Sequence, residues 1–247
     1  LAEYYPKDPS GGISIAYLWA RTIQCEGPSC GAEVPLIRSL WLAKKGNKSI
    51  ALKILPDAAT KIVNFEIISN VKGSDVSKGT IAGGAAICPV CGFTIPISSV
   101  RIQMKKSKGG TNNCRLVAIR YDDPKTGKRG YRLPGKQDIE AVKSAILELN
   151  RRKQLPVNNL ALVPDETVNP LPHSVNRLPL YGMTTWGDIF TPRQALALTT
   201  FADLIRKVND QTKEDEKDIN TAVQECLALC LDRLADFNSS LCVLNSV

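Results

Sequence analysis

Apolar residues fall in short β-like runs through the first half of the chain and at helical spacing through the second. Segment 13–23, rich in aliphatic and aromatic side chains, reads as a strand. A second strand is expected at 34–43, and two more at 49–55 and 61–69 around the turn Pro56-Asp57-Ala58-Ala59. Their β-branched content and short length argue against helix. Gly79-Thr80-Ile81-Ala82-Gly83-Gly84 begins a further short strand, and 94–97 reads as a strand that matches 34–43. Segments 99–105, 114–121 and 129–133 are expected to form another antiparallel set.

The period then changes. Over 137–153, Ile139, Val142, Ala145, Ile146 and Leu149 share one helical face, and Arg151-Arg152-Lys153 ends the helix where cations suit its dipole. Segment 154–190 is rich in proline and asparagine and predicts a connector. Thr191-Pro192-Arg193-Gln194 is a capping box with proline in the first turn, so a helix is predicted from there to about residue 208. A charged break at 213–217 precedes a second helix over 218–237, with Ala222, Cys226, Leu229, Cys230, Arg233 and Leu234 on one face. The expected fold class is α+β: antiparallel strands first, then a mainly α-helical part. The expected divisions are a β-rich region at 1–136, a helix at 137–153, the connector at 154–190 and a helical region at 191–247.

Composition supports a packed core, with 43% hydrophobic residues among 247. No apolar run reaches the roughly 18 residues that span a bilayer. Net charge is +8, unevenly spread: residues 1–153 hold 25 Lys and Arg against 12 Asp and Glu, and residues 154–247 hold 7 against 12. Segment 98–136 alone carries 11 basic and 2 acidic residues. That asymmetry fits a polyanion partner, most often nucleic acid; the alternative is a basic face that keeps the chain soluble. Lys105, Lys106 and Lys108 beside Gly109-Gly110, with Lys125, Lys128 and Arg129, mark basic loop tips. Such tips suit phosphate contacts, although each loop alone is equally a solvated hairpin.

The sharpest chemical signal is a pair of cysteine knuckles. One is Cys25-Glu26-Gly27-Pro28-Ser29-Cys30-Gly31, and the other is Cys88-Pro89-Val90-Cys91-Gly92. Two thiolate pairs complete a tetrahedral sulfur shell that suits Zn²⁺ and leaves no position open to substrate, so the metal would be structural. Iron is an alternative occupant, and two unrelated free or disulfide-bonded pairs are the alternative to a metal. The 57 residues between Cys30 and Cys88 exceed the roughly 15–20 common between paired knuckles. Cys114, Cys226, Cys230 and Cys242 are expected to be small core residues. Metal thiolates, and a start without a basic and apolar leader, predict a cytoplasmic location.

Catalytic signals are missing. No glycine-rich phosphate loop occurs, and the lone histidine, His173, cannot supply most hydrolytic machinery. Asn169-Pro170-Leu171-Pro172 lacks the second proline and the aromatic ring of an amino-methyltransferase turn.

Several segments together do resemble a known family. Ala16-Tyr17-Leu18-Trp19-Ala20-Arg21-Thr22-Ile23 leads into the first knuckle and Cys30-Gly31-Ala32-Glu33-Val34-Pro35-Leu36 leads out. Later come Leu180-Tyr181-Gly182-Met183, then Trp186-Gly187-Asp188-Ile189-Phe190-Thr191-Pro192-Arg193-Gln194. Near the end stands Asp232-Arg233-Leu234-Ala235-Asp236-Phe237-Asn238-Ser239-Ser240-Leu241-Cys242. In this order they resemble the adenine-specific DNA methylases of bacteria and archaea that contain a zinc ribbon. The resemblance implies methyl transfer from S-adenosylmethionine to adenine, and that this chain is an internal portion of such an enzyme. The cofactor motif would precede Leu1 and the catalytic turn would follow Val247, so no catalytic or cofactor residue is assigned here. The zinc ligands Cys25, Cys30, Cys88 and Cys91 do carry over. The implied partners are DNA and the remainder of the methylase. Lys105, Lys106, Lys108, Arg115, Lys125, Lys128, Arg129 and Arg132 are the expected phosphate contacts. The alternative is a zinc-stabilised interaction or bracing module without DNA contact.

Overall fold

A computed structural model describes residues 1–44, 49–127, 129–155, 160–170, 177–208 and 217–242. Its first element of consequence is β1 (Ile13–Gln24), a 12-residue strand whose two halves pair differently. Along most of its length it runs antiparallel to β9 (Arg115–Asp122), with Tyr17 opposite Ile119 and Trp19 opposite Leu116. Its last four residues pair instead with β2 (Glu33–Leu36), from Arg21 opposite Leu36 to Gln24 opposite Glu33. With β10 (Arg129–Arg132) this makes a four-stranded sheet ordered β10-β9-β1-β2. β1 therefore delivers the chain directly into the first knuckle.

The expected strand at 34–43 breaks in two. Leu40 is fully buried between β2 and β3 (Trp41–Ala43), and β3 joins a separate sheet, β3-β4-β5. β4 (Ile50–Asp57) and β5 (Ile62–Ser69) form a hairpin in register from Ile50 opposite Ser69 to Asp57 opposite Ile62. The inward alternation of Val63 and Phe65, with Leu52, packs this hairpin against Ala20, Leu40, Val117 and Ala118. A third small sheet, β6 (Ile81–Ala82), β7 (Ala85–Ile87) and β8 (Thr94–Ile95), carries the second knuckle.

Segment 99–105, expected as a strand, is a helix: α1 (Ile97–Lys106), with Pro96 at its N-cap. Val100, Ile102 and Met104 fit an alternating pattern, which is the source of the error. Val100 (6% exposed) and Met104 (2%) are buried, whereas Ile102 (54%) points to solvent. A strand would place all three on one face; a helix separates the middle one.

α2 (Lys136–Lys153), α3 (Pro192–Arg206) and α4 (Lys217–Phe237) lie where their periodicity placed them. The box at the start of α3 forms, with the Gln194 side chain accepting from the Thr191 amide at 2.9 Å. Two 3-10 turns, Leu178–Tyr181 and Trp186–Ile189, give the connector local order. Among the described residues the chain is thus α+β, with a β-rich part followed by a helical part. No helix there is long and apolar enough to cross a membrane. The cysteines of α4 depart from expectation: Cys226 and Cys230 are exposed, as is Cys242 beyond it. Among the described residues α4 packs chiefly on α3, which leaves much of its apolar face exposed.

Two arginines, one buried and one half-buried, tie the helical part to the first sheet. Arg193 at the start of α3 is 4% exposed. Its guanidinium lies 3.9 Å from the Tyr17 ring centroid, 4.6 Å from Tyr5 and 5.5 Å from Trp19. It also donates to the Tyr4 carbonyl at 3.2 Å. Aromatic faces and a carbonyl thus replace the water that burial removes. Arg132 on β10 instead takes two carboxylates, Asp8 from the N-terminal arm and Asp138 from α2, the latter at 2.6 and 3.0 Å.

Burial acts to raise both carboxyls. Hydrogen bonds outweigh it, from Ser10 and Arg132 to Asp8 and from Arg132 and the Gly135 amide to Asp138, and both pKa values end below the usual range. Because the folded values are depressed, this stabilisation is complete above the unfolded pKa near 3.8 and fades as pH falls through the folded values.

Two outcomes are expected. Met104→Ala should cost about 2–5 kcal/mol in urea unfolding and Ile102→Ala under about 0.5 kcal/mol; equal costs would contradict the helical register. Arg132→Met should cost about 3–5 kcal/mol at neutral pH, because it strands two buried carboxylates. That deficit should shrink as pH drops below about 4 and both carboxyls protonate, and unfolding midpoints measured across pH would show it.

Candidate metal centre

Both knuckles are hairpin loops closed by backbone bonds. In the first, the Cys25 amide donates to the Ala32 carbonyl at 2.8 Å and the Cys30 amide to Gly27 at 3.0 Å. In the second, the Cys88 amide donates to Phe93 at 3.0 Å and the Gly92 amide to Cys88 at 2.9 Å. The glycine after each second cysteine turns the chain back at positive φ, 63° at Gly31 and 74° at Gly92. The knuckles also press on each other: a side chain at Gly27 would meet Phe93 Cβ at 2.9 Å and Cys91 Sγ at 3.1 Å.

This docking brings all four cysteine sulfurs within 4.8 Å of one another. Cys25 and Cys91 sulfurs are 3.5 Å apart, and Cys30 and Cys88 sulfurs 3.9 Å. Those separations exclude disulfides, whose sulfurs bond at about 2.05 Å. They match a tetrahedral ZnS₄ unit, in which Zn–S bonds of about 2.3 Å set sulfurs about 3.8 Å apart. Each pair contains one cysteine from each knuckle, so a shared ion would lock the two hairpins together. The donor set therefore fits zinc, with all positions filled by protein.

Backbone amides prepare the sulfurs for a cation. Gly27 N–H donates to Cys25 Sγ at 3.3 Å. Burial pushes the Cys25 and Cys88 thiols up, in Cys88 against the N–H groups of Cys91 and Val90. The Phe93 amide pulls Cys91 down to about 7. Cys91 is also the exposed member of the four, which makes it the natural first ligand. A bound dication would lower Cys25 and Cys88 in turn.

The long gap between knuckles has a structural cause. Within it lie β3, β4 and β5, a complete sheet inserted between the halves of the ribbon. One positioning residue escaped sequence reasoning. The Gln103 side chain accepts from the Gln24 amide at 2.8 Å and donates to the Gln24 carbonyl at 3.0 Å and to Glu26 Oε1 at 2.9 Å. It clamps α1 to the first knuckle. Reading 99–105 as a strand hid it; as a helix, Gln103 follows Val100 by three residues and lies beside the buried face.

The basic residues divide into two groups. Lys105 and Lys106 end α1 and are exposed, as are Lys108, Lys125 and Arg129. Arg115 is engaged internally: it donates to the Val63 carbonyl at 2.6 Å and lies over the Phe65 ring at 5.3 Å. Arg132 holds Asp8 and Asp138. Gly109 and Gly110 are buried against Met183 and Met104 rather than offered to a ligand. Lys128, His173, Leu171 and Pro172 lie outside the described residues.

The purified chain is expected to hold one zinc. Cys25→Ser or Cys88→Ser should abolish stoichiometric zinc and cooperative melting, whereas Cys226→Ser should change neither. Elemental analysis with thermal unfolding decides it; retention of zinc by both ribbon variants would refute the site. No family model, curated protein or solved structure matches this chain.

Proposed function

We propose that the chain is the zinc-braced DNA-recognition portion of an adenine-specific, S-adenosylmethionine-dependent DNA methyltransferase, with catalysis carried elsewhere in a longer protein. One observation carries the metal's part in this reading: four sulfurs close around a single point. A closed sulfur shell braces a fold and offers no position for water or substrate. The proposed phosphate contacts are the exposed cations Lys105, Lys106, Lys108, Lys125 and Arg129, with Lys128 beside them in sequence. Arg115 and Arg132 leave that set, because their guanidinium groups are engaged within the fold. The family assignment rests on the sequence resemblance.

A second reading, an interaction or bracing module, is favoured by the helical end. Leu229 on α4 is 71% exposed and Phe237 62%, and Ile219, Val223 and Leu227 are exposed with them. Phe201 and Leu204 extend this apolar surface onto α3. Surfaces of this kind mark protein partners, and the remainder of a longer polypeptide would serve. Both roles fit one protein if the basic half meets DNA and the helical end docks.

Titrating the zinc-loaded chain against a mixed-sequence duplex separates them. Affinity should fall steeply between about 50 and 200 mM salt, with a log–log slope near −0.9 for each phosphate neutralised. Replacing Lys105, Lys106 and Lys108 by Gln should reduce the size of that slope by about 2–3. Weak, salt-insensitive binding would leave the docking reading in its place.

A further inference from the structure

Between β1, β2, the β6–β7 turn and α1 lies a cavity of about 720 Å³, closed on its other side by residues 177–183 and 240–241. That volume is within the roughly 300–1,000 Å³ usual for small-molecule sites. Its walls are largely apolar, with Leu36, Val100, Met104, Leu178, Tyr181 and Met183 prominent. Arg21 from β1 is set into this lining, while Arg177, within the connector, is exposed at its rim.

Arg21 is incompletely satisfied. Its Nη2 donates to Ser240 Oγ at 3.0 Å and lies 3.8 Å from Met183 Sδ. Its Nε is buried with no hydrogen-bond partner. Arg193 gains aromatic faces and Arg132 gains carboxylates, but Arg21 has neither. Among the described residues its electrostatic neighbour is the Cys114 thiol. Burial pushes that thiol up to about 11, so at neutral pH it is uncharged and supplies no counter-ion. Its proton goes to the Thr111 carbonyl, 3.0 Å away. A largely desolvated guanidinium that lines an apolar cavity and has no carboxylate beside it among the described residues is matched by a planar monoanion. Phosphate, with more charge and three oxygens to satisfy, would need further cations at this depth.

We propose that this cavity binds an organic carboxylate with an apolar body, its carboxylate on Arg21 and its body against Leu36, Val100, Met104 and Tyr181. The site is separate from the sulfur cluster and from the exposed lysines. It stands or falls independently of DNA binding.

The test uses the full zinc-loaded chain with 3-phenylpropionate, its uncharged amide and inorganic phosphate, read by calorimetry and by amide chemical shifts. The acid should bind saturably and shift resonances of Arg21, Cys114 and Ser240. The amide should bind about tenfold more weakly or worse, since it loses the charge-assisted pair, and phosphate should neither bind nor compete. Arg21→Met should bring acid binding down to the level of the amide. Equal affinity for acid and amide, phosphate competing as strongly as the acid, or no saturable acid binding would each overturn the proposal. The acid-against-amide comparison is made on the unaltered chain, so it decides the matter even if Arg21→Met fails to fold.

Discussion

Sulfur geometry organises the β-rich half. Cys25, Cys30 and Cys88 sit in one buried cluster with Ile23, Val34, Ala86, Ile95, Val100 and Met104. The centre is therefore part of a core rather than a knob at the periphery. A tetrahedral ion there would bind the end of β1, the start of β2 and the β7–β8 hairpin at one point. Cys30 and Cys88 are 58 positions apart. A cross-link over that distance removes unfolded-chain entropy worth about 4 kcal/mol. Without it, small two- and three-residue strands such as β6, β7 and β8 have little to hold them. α1 follows the second knuckle immediately, so its seat on Gln24 and Glu26 through Gln103 depends on the same constraint.

Buried charge is the second theme. A net charge of +8 suggests an open basic surface, yet several of its cations are internal. Arg193 is stacked among three aromatic rings, Arg132 joins the N-terminal arm to α2, and Arg115 fastens β9 to β5. These are cross-links between elements distant in the chain, each with its charge compensated locally. Arg21 differs in lining a cavity with no carboxylate beside it among the described residues. Free surface charge is accordingly carried by lysines at helix and hairpin ends, whose flexible stems and strongly hydrated ammonium groups suit long-range attraction to a polyanion.

At the helical end, α2 and α3 bury Ala145, Leu149, Ala195 and Leu196 with Tyr4 in a third core cluster. α4 has a comparable apolar stripe but, among the described residues, rests chiefly on α3 and leaves much of that stripe exposed. The same periodicity thus produced a core face in α2 and an exposed one in α4. Hydrophobic spacing states that a face wants a partner and is silent on whether this chain provides it.

Local chemistry was readable from residue order. Knuckle spacing located the four sulfurs, the Thr191–Gln194 box set the start of α3, and period changes divided strands from helices, because each depends on groups a few positions apart. The class of α1 was not readable, since Val100, Ile102 and Met104 satisfy both periods and only the neighbouring sheet selects which of them turns inward. Nor was the division of basic residues, because Arg132 meets Asp8 across 124 positions and Arg193 meets Tyr5 and Tyr17 across most of the chain. Whether a cation is a cross-link, a ligand anchor or a free charge depends on what folding places beside it. Desolvation and pairing are properties of packed neighbours, and packing belongs to the tertiary structure alone.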